Sequence, residues 1–321
     1  MPRIHDFLIL VCLAVVSVTL SPAAPSCRSA AGYAYKYYIC EGLRSADDFH
    51  QHVQRDAMLE ETHFILKDSR LDHIPATVFR NANISVLEFR NSHIQLFTYP
   101  GSATGPLDEL RETLRKLTFS NQSSLPESWS ALQNLTELRT LQLVAIGQVN
   151  LTRDFNNLPT SIRQIQILGA SIGRVDDDWI SQLSDIELIK VAETTLKKVS
   201  RSMFPRPASK LLVLDMPENQ LTSLPKDFTQ DMPALKVLSV AYNQISTFHE
   251  ETLAPLDRDD SFVNMIGNVL NCECKLAFLL RYPERWIYYV CGQPSSLSGK
   301  YIRSLIEPEL CNTTNHARNE K

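Results

Sequence analysis

The sequence predicts an α/β-type repeat solenoid, a curved stack of short parallel strands closed at both ends by disulfide-stapled caps. Two observations carry this prediction. One apolar signature occurs nine times between Glu61 and Leu270, at intervals of 23 to 25 residues except for one of 30. All seven cysteines lie outside that repetitive region. A single elongated domain therefore fits the chain of 321 residues better than two globules.

The signature itself is clearest in the late copies. It is spelled L-x-x-L-x-V-x-x-N-x-I over residues 235–245 and L-x-x-L-x-M-x-x-N-x-L over residues 211–221. This spelling resembles the leucine-rich repeat. The resemblance implies a horseshoe in which each unit contributes one short strand to a concave face. Alternate strand residues point inward, so neighbouring units bury a common apolar column.

Taking the place of Asn243 as the reference position, the residues three and five places earlier are apolar in all nine units. An asparagine at the reference position turns its amide inward and pairs backbone groups of the turn. The hydroxyl groups of serine and threonine can substitute, as can the amide of Gln122, whereas Ile146 and Ala170 cannot. We therefore expect the middle units to be least regular, and Asn243→Ala to cost about 1–3 kcal/mol. The nine reference residues are Ser69, Ser92, Gln122, Ile146, Ala170, Thr194, Asn219, Asn243 and Asn268.

The first residues predict export. Arg3 precedes an apolar run from Phe7 to Leu20, and small residues follow it. This pattern is typical of a signal peptide over residues 1–26, cleaved between 23 and 26. A signal anchor is the alternative, but fourteen residues are short for a bilayer span of about 20. No second apolar run follows, so we expect a soluble, secreted protein without a membrane anchor.

The expected organisation after the signal has four parts. Residues 27–60 form an N-terminal cap, residues 61–270 form nine repeats, residues 271–311 form a cysteine-rich C-terminal cap, and residues 312–321 form a polar tail. Cysteines confined to the ends of an exported chain indicate disulfides, with a zinc site as the alternative. The net charge of −4 gives no indication of nucleic-acid binding.

Residues 263–274 resemble the C-terminal cap of extracellular leucine-rich-repeat proteins, usually written N-P-L-x-C-x-C. Here Val269 stands in place of the proline. The resemblance implies that the four cysteines pair first with third and second with fourth. The pairs implied are Cys272–Cys291 and Cys274–Cys311.

The N-terminal cap contains only two cysteines. Tyr33, Tyr35 and Tyr37 alternate between them, which predicts a capping strand, and a Cys27–Cys40 bridge would close the hairpin. The tyrosines either pack over the first repeat or form a contact patch. This start also resembles secreted arthropod repeat proteins, a group that includes the non-catalytic subunit of a shrimp luciferase. That resemblance implies association with another protein.

Five positions match the N-x-S/T rule for N-glycosylation. Asn121 directly precedes a reference position, so a glycan there would obstruct a partner on the concave face. The five predicted acceptors are Asn83, Asn121, Asn134, Asn150 and Asn312.

Catalytic chemistry has no support in the sequence. No nucleotide-binding, metalloprotease or serine-hydrolase motif is present, so we expect no enzyme activity, no catalytic residue and no cofactor. The His50-x-His52 pair and the run 176–178 of three aspartates are the nearest approach to a metal site. Both fit solvated surface groups better, so no metal ligand is expected.

The concave face is the expected binding surface. Its outward residues lie two, four and six places before each reference position. In the later units the middle column is polar and the columns beside it are apolar, which is typical of a protein-binding groove. The alternative is that valine and leucine merely favour strands. The predicted contact residues are Val144, Gln166, Leu168, Leu188, Lys190, Val213, Asp215, Val237, Ser239 and Phe262.

The functional prediction is a secreted, non-catalytic leucine-rich-repeat protein that binds a protein partner, in extracellular recognition or scaffolding. The first alternative is a stabilising subunit of a secreted enzyme complex, and the second is a component of the extracellular matrix. Homo-oligomers are compatible with each. The Gly- and Pro-containing loop 98–106 is either a binding insertion or a neutral one.

Overall fold

The computed structural model describes residues 24–32, 36–75, 77–99, 101, 104–286 and 289–311. The predicted signal segment before residue 24, Tyr33, Tyr35 and the polar tail lie outside the described residues. The strands are β1 (Ser26–Ala31), β2 (Lys36–Glu41), β3 (Thr62–Lys67), β4 (Arg70–His73), β5 (Ile84–Arg90), β6 (His93–Leu96), β7 (Lys116–Ser120), β8 (Thr140–Val144), β9 (Gln148–Leu151), β10 (Gln164–Leu168), β11 (Ser171–Val175), β12 (Leu188–Ala192), β13 (Val213–Asp215), β14 (Val237–Ser239), β15 (Phe262–Asn264), β16 (Leu270–Asn271) and β17 (Cys291–Gln293).

One eleven-stranded sheet organises the molecule. Its strand order is β1-β2-β3-β5-β7-β8-β10-β12-β13-β14-β15. Only the β1–β2 pair is antiparallel, and the other nine pairs are parallel. Consecutive units thus contribute neighbouring strands, as expected for a solenoid whose repeats contact mainly their neighbours. The predicted leucine-rich-repeat horseshoe is confirmed.

The apolar ladder explains why the strands stack. The side chains three and five places before the reference are each at most 1% exposed in all nine units. Each strand therefore buries two side chains against the same positions of its neighbours, at roughly 1.5–3 kcal/mol per side chain. The eighteen residues are Phe64, Leu66, Leu87, Phe89, Leu117, Phe119, Leu141, Leu143, Ile165, Ile167, Ile189, Val191, Leu214, Met216, Leu238, Val240, Val263 and Met265.

Short helices return the chain on the convex side. The α-helices are α1 (Ala46–His52), α2 (Glu250–Leu253) and α3 (Glu307–Cys311), and most other returns are single 3-10 turns. These turns are at Arg55–Met58, Pro106–Leu110, Trp129–Leu132, Arg153–Asn157, Arg201–Met203, Ala254–Leu256, Cys274–Arg281, Glu284–Trp286 and Ile302–Ser304.

Two small parallel sheets, β4–β6 and β9–β11, run beside the main sheet. Each ends at a hydroxyl group from the following unit. The backbone N–H of Ile94 donates to Ser124 Oγ at 2.8 Å, and that of Ile172 donates to Thr195 Oγ1 at 2.9 Å. In each case a side-chain hydroxyl oxygen accepts the N–H that would otherwise pair with a backbone carbonyl of a further strand. The small sheet therefore ends there.

Aromatic side chains form a second column in the core. Phe89 stacks on Phe119 with centroids 5.2 Å apart, and edge or tilted contacts continue through Trp129 and Phe155 to Trp179. Such pairs contribute about 0.5–1.5 kcal/mol beyond their buried area. The column joins the second to the fifth unit.

The last three reference asparagines form the expected ladder. Asn243 Nδ2 donates to the carbonyl oxygens of Met216 (2.9 Å) and Val240 (3.0 Å), and its Oδ1 accepts the N–H of Leu221 at 3.0 Å. Asn268 repeats this arrangement one unit later. Each amide therefore links its own turn to the preceding unit.

Serine performs this task in the first units. Ser92 Oγ accepts the N–H of Ser69 and donates to Leu66 O at 3.0 Å. The expected role of Gln122 is wrong, because its side chain is exposed. The turn is one residue longer there, and Ser123 Oγ accepts the N–H of Ser92 at 2.9 Å instead.

The expected irregularity of the middle units is also wrong. Strands β7, β8, β10 and β12 pair over five residues each without a break in register, whereas β13, β14 and β15 pair over three. Ile146 and Ala170 are buried as apolar residues. The backbone ladder and apolar packing thus hold the turns that lack a polar reference side chain.

One backbone feature recurs in every unit. The residue directly before the reference position has a positive φ, between 47° and 76° in all nine units. This conformation favours glycine, yet only two of the nine are glycines. The set is Asp68, Asn91, Asn121, Ala145, Gly169, Glu193, Glu218, Tyr242 and Gly267.

The caps are closed by disulfides. Cys27 lies directly opposite Cys40 in the β1–β2 hairpin and is bonded to it, as predicted. Tyr38 packs edge-on against Phe64, and its hydroxyl accepts the N–H of Gln54 at 2.7 Å. This tyrosine therefore packs over the first repeat. The C-terminal bridges are those that the resemblance implied, Cys272–Cys291 and Cys274–Cys311.

Candidate functional site: the concave face

The strand register places the outward residues in three straight columns. The middle column runs from Ile65 through Glu88, Gln142 and Lys190 to Asn264, with each member directly paired to the next unit's. Parallel strands lie about 4.8 Å apart, so neighbouring side chains of a column touch. The ten predicted contact residues all belong to these three columns.

The middle column is linked by polar contacts. Gln142 Nε2 donates to Gln166 Oε1 at 3.3 Å, and Lys190 Nζ lies 2.8 Å from Asp215 Oδ2. Further along, Ser239 is only 7% exposed. Among the polar residues predicted to contact a partner, Ser239 thus offers the least surface.

Apolar side chains flank this column in the later units. Leu188, Val213 and Val237 are half-buried and directly paired in one rail, which ends at Phe262, 40% exposed. The opposite rail begins with Val144 and Leu168, both half-buried. Most of its later side chains are smaller. Its next residues are Ala192, Pro217, Ala241 and Ile266. Ala192, Pro217 and Ala241 thus present smaller side chains beside the Lys190–Asp215 ion pair than Val144 and Leu168 do earlier in the rail.

The early part of the concave face has a different chemistry. Burial by itself raises the pKa of Glu88, but His63, Arg90 and Ser120 beside it outweigh that effect and lower the pKa to about 2. Arg90 Nε lies 2.8 Å from Glu88 Oε1, and Ser120 Oγ donates to the same oxygen at 2.9 Å. Glu88 is therefore ionised at neutral pH and held by its neighbours.

The predicted glycosylation acceptors lie on the early half of the solenoid. Asn121, Asn134 and Asn150 are exposed, and Asn83 is half-buried. Asn312 lies outside the described residues. Asn121 follows β7 directly, at the edge of the concave face. No sequon occurs from residue 151 to residue 311, which covers the apolar rails from Leu168 onward.

The candidate metal groups are placed apart from the concave face. His50 and His52 lie in α1, a helix, so they do not share a face as they would in a strand. Asp176 accepts the N–H of Arg153 and pairs with Arg174, and these contacts lower its pKa. Within the described ranges, no group of three or more His, Cys, Asp or Glu side chains is placed to hold a metal ion.

The loop at 98–106 is described only in part. Tyr99 N–H donates to Thr104 O at 3.0 Å, which closes the loop on itself. Gly105 packs against the backbone of Phe97, where a Cβ would collide with the carbonyl. The insertion therefore returns to the core before the 3-10 turn that starts at Pro106.

The fold and the concave face together define a disulfide-capped leucine-rich-repeat solenoid. Residues 209–258 match the family model described as leucine rich repeat. This stretch includes β13 and β14, whose units carry the clearest copies of the signature.

Relatives with curated descriptions match less than half of this chain. Mouse Toll-like receptor 9 is 22% identical over 157 residues, which are 47% of this chain and 15% of the receptor. Rat leucine-rich repeat and fibronectin type-III domain-containing protein 4 is 26% identical over 141 residues, which are 42% of this chain and 21% of that protein. The chain therefore spans only a small part of these relatives' length.

A solved structure has the same fold. One chain in the structure of the octameric complex of latrophilin 3, Unc5D and FLRT2 matches with a TM-score of 0.56 at 16% identity. In that complex, FLRT2 contributes leucine-rich repeats. The match covers 83% of this chain and 88% of that chain. Within the described residues, no helix is both long and apolar enough to cross a membrane.

Proposed function

We propose that this protein is a secreted, non-catalytic binding protein that holds a protein partner in the later half of its concave face. The observation that carries the proposal is the pairing of apolar rails with a polar column. Leu188 and Val213 lie in one rail, Leu168 lies in the other, and the Lys190–Asp215 ion pair lies between them. Apolar patches flanked by polar groups are typical of protein interfaces.

The sequons support the same half of the face. Glycans on Asn121 or Asn150 would crowd the early units, whereas residues 151–311 carry no acceptor. The apolar start over residues 7–20 supports export, and three disulfides suit an oxidising compartment. The relatives named above are a receptor and a repeat protein with a fibronectin domain, and the structural neighbour is a multi-protein complex.

Substitutions in the rails test the proposal. We expect Leu168→Lys or Val213→Lys to weaken partner capture about tenfold or more, because a charge would be buried against an apolar partner surface. The matched control is Thr140→Lys. Thr140 is half-buried and lies in the same column as Val213, but it precedes the apolar part of that column.

The measurement is capture of partners from the protein's own secretion by the tagged full chain, followed by mass spectrometry and a titration with the partner found. Equal capture by the rail variants and the wild type, at equal secretion, would contradict the proposed site. A smaller partner recovered at fixed stoichiometry together with an enzyme activity would favour the alternative of a stabilising subunit. If the isolated partner kept that activity, this protein would serve only to stabilise the partner.

A further inference from the structure

A second apolar surface adjoins the C-terminal end of the concave face and shares Ile266 with it. Nine large apolar side chains are exposed among the described residues, and five of them lie at the C-terminal end of the solenoid on one rim of the sheet. We call these five the rim patch. Its members are Tyr242 (57% exposed), Ile266 (37%), Val269 (63%), Val290 (38%) and Tyr301 (54%).

Backbone contacts join the members of the rim patch into two groups, which meet where Ile266 and Val269 lie three residues apart in the chain. Tyr242 N–H donates to Ile266 O at 2.7 Å, so these two residues are neighbours across adjacent units. Leu270 pairs with Cys291 in parallel register, which places the preceding residues Val269 and Val290 side by side. Val290 in turn forms an antiparallel bridge with Tyr301.

Two members of the patch rest on glycines of the next layer. A Cβ on Gly267 would lie 2.8 Å from Tyr242 Cε1, and a Cβ on Gly292 would lie 3.3 Å from Val269 Cβ and closer still to its Cγ1. Both side chains are therefore supported from below while their outer surfaces stay open. A rigid, supported aromatic side chain is typical of an interface anchor.

The backbone of Tyr242 has the positive φ that recurs directly before the reference position of every unit. Its φ is 53°, a conformation that bulky residues rarely adopt. Because all nine units share this conformation, it belongs to the repeat turn and gives no separate indication of a binding site. The chain thus holds an exposed tyrosine at a position where glycine would cost least.

Charges border the patch asymmetrically. Glu218 precedes Tyr242 along the rim and is exposed, as is Lys300 next to Tyr301 at the other end. Neither forms an ion pair within the described part of the chain. An antiparallel overlay of two identical patches places Glu218 opposite Lys300 of a second copy, Tyr242 opposite Tyr301, and Val269 near the two-fold axis. Such self-complementarity is the requirement for an isologous dimer.

We propose that the rim patch is the interface between two copies of this chain. The five side chains expose on the order of 500 Å², which is at the upper end for a monomer surface. A two-fold contact through them buries about 1,000 Å², the lower bound for a specific interface. The patch shares only Ile266 with the concave face, so Leu168, Leu188 and Val213 of the rails lie outside the dimer contact.

The first test measures the oligomeric state of the secreted full chain by sedimentation at about 1–100 μM, a range suited to a small interface. We expect a dimer, and we expect Val269→Arg to raise its dissociation constant about tenfold or more because two arginines would meet near the axis. The control is Leu59→Arg, at an apolar residue 58% exposed in the N-terminal cap. A monomeric wild type, or a dimer unaffected by Val269→Arg, would overturn the proposal.

A charge exchange tests the two-fold register. Glu218→Lys and Lys300→Glu should each weaken the dimer by placing like charges opposite each other. Mixing the two single variants should restore dimers, because both contacts of the mixed pair then join opposite charges. Failure of the mixture to dimerise more tightly than either variant alone would overturn this register.

Different variants test the proposed dimer and the proposed concave binding site, so either proposal can be rejected without the other. Leu168→Lys should leave the dimer unchanged while weakening partner capture, and Val269→Arg should do the reverse. A monomeric wild type whose partner capture is lost on Val269→Arg would assign the rim patch to the partner and reject the second copy.

Discussion

The first three units and the last three units solve the same problem with different side chains. Every unit turns sharply after its strand and leaves backbone groups that need partners. Ser69, Ser92 and Ser123 supply one hydroxyl each, whereas an asparagine such as Asn243 supplies two donors and an acceptor. The serine units have strands of five to seven residues, and the asparagine units have strands of three.

This difference shows how local and shared stabilisation compensate. Where the strand ladder is short, the buried amide connects adjacent units directly. Where the ladder is long, a single hydroxyl suffices, and the units at Ile146 and Ala170 have no polar reference side chain at all. The early units also have the aromatic column, which ends at Trp179 among the contacts described above.

The largest effect should follow from removing one asparagine. Asn243→Ala leaves the N–H of Leu221 and the carbonyl oxygen of Met216 unpaired in a buried turn, and we expect a loss of about 3 kcal/mol in the free energy of unfolding. Chemical denaturation measures it. The exposed neighbour Gln244 provides the control, since Gln244→Ala should change stability by less than about 0.5 kcal/mol. Equal stability of Asn243→Ala and the wild type would refute the amide's role.

Acid should loosen the early units. The pKa of Glu88, about 2, lies below its ordinary value of 4.5, so the ionised carboxylate stabilises the fold above pH 4.5. That contribution, about 2 kcal/mol, is lost as the pH falls from 4.5 towards 2. Hydrogen-exchange protection factors, which correct for the slower intrinsic exchange at low pH, should be smaller around β5 of the wild type at pH 3 than at pH 7. In Glu88→Gln the same region should change less with pH, and a pH response identical to the wild type's would contradict this assignment.

A smaller loss is expected in the serine ladder. Ser92→Ala removes the acceptor for the N–H of Ser69 and a donor to Leu66 O, so we expect a cost of about 1 kcal/mol. Chemical denaturation measures this cost, and Ser223→Ala, at an exposed serine, is the control. If Ser92→Ala cost as much as Asn243→Ala, the strand ladder would not compensate as described.

The smallest effects test the recurrent positive φ. Gly169→Ala should cost about 1 kcal/mol through the backbone alone, because the new Cβ would lie 3.8 Å from Ala145 Cα without a clash. Ala145→Gly, one unit earlier, should stabilise the protein by up to about 0.5 kcal/mol. Thermal unfolding of the two variants measures the loss of stability expected for Gly169→Ala and the gain expected for Ala145→Gly. A stabilising Gly169→Ala would show that the turn does not require this conformation.

Much of the fold was predictable because its signals are local and periodic. The apolar positions recur at the repeat length, and the columns of the concave face follow from strand alternation alone. The role of Gln122 was mispredicted because the extra residue in its turn changes no apolar position. Ser123 carried a signal that could have been read, since serine already occupies the reference position in the two preceding units.

The rim patch could not be read from the repeat pattern. Tyr242, Val269 and Tyr301 occupy variable positions of the signature or of the cap, where any residue is tolerated by the strand. Their proximity depends on β16 pairing with β17, which are twenty residues apart, and on glycines that seat two of the side chains. Contacts of this kind leave no periodic trace in a single chain.

The sequence by itself determined the repeat, the buried ladder and the outward columns, because each depends on residues spaced by one unit or less. The cysteine pairing of the C-terminal cap came from the resemblance of residues 263–274 to a known cap. Tertiary structure alone decided which side chains close the turns, how the middle units persist without asparagine, and which exposed apolar residues meet. The physical reason is that unpaired backbone groups and exposed side chains find partners by distance, and distances between units appear only after the solenoid is stacked.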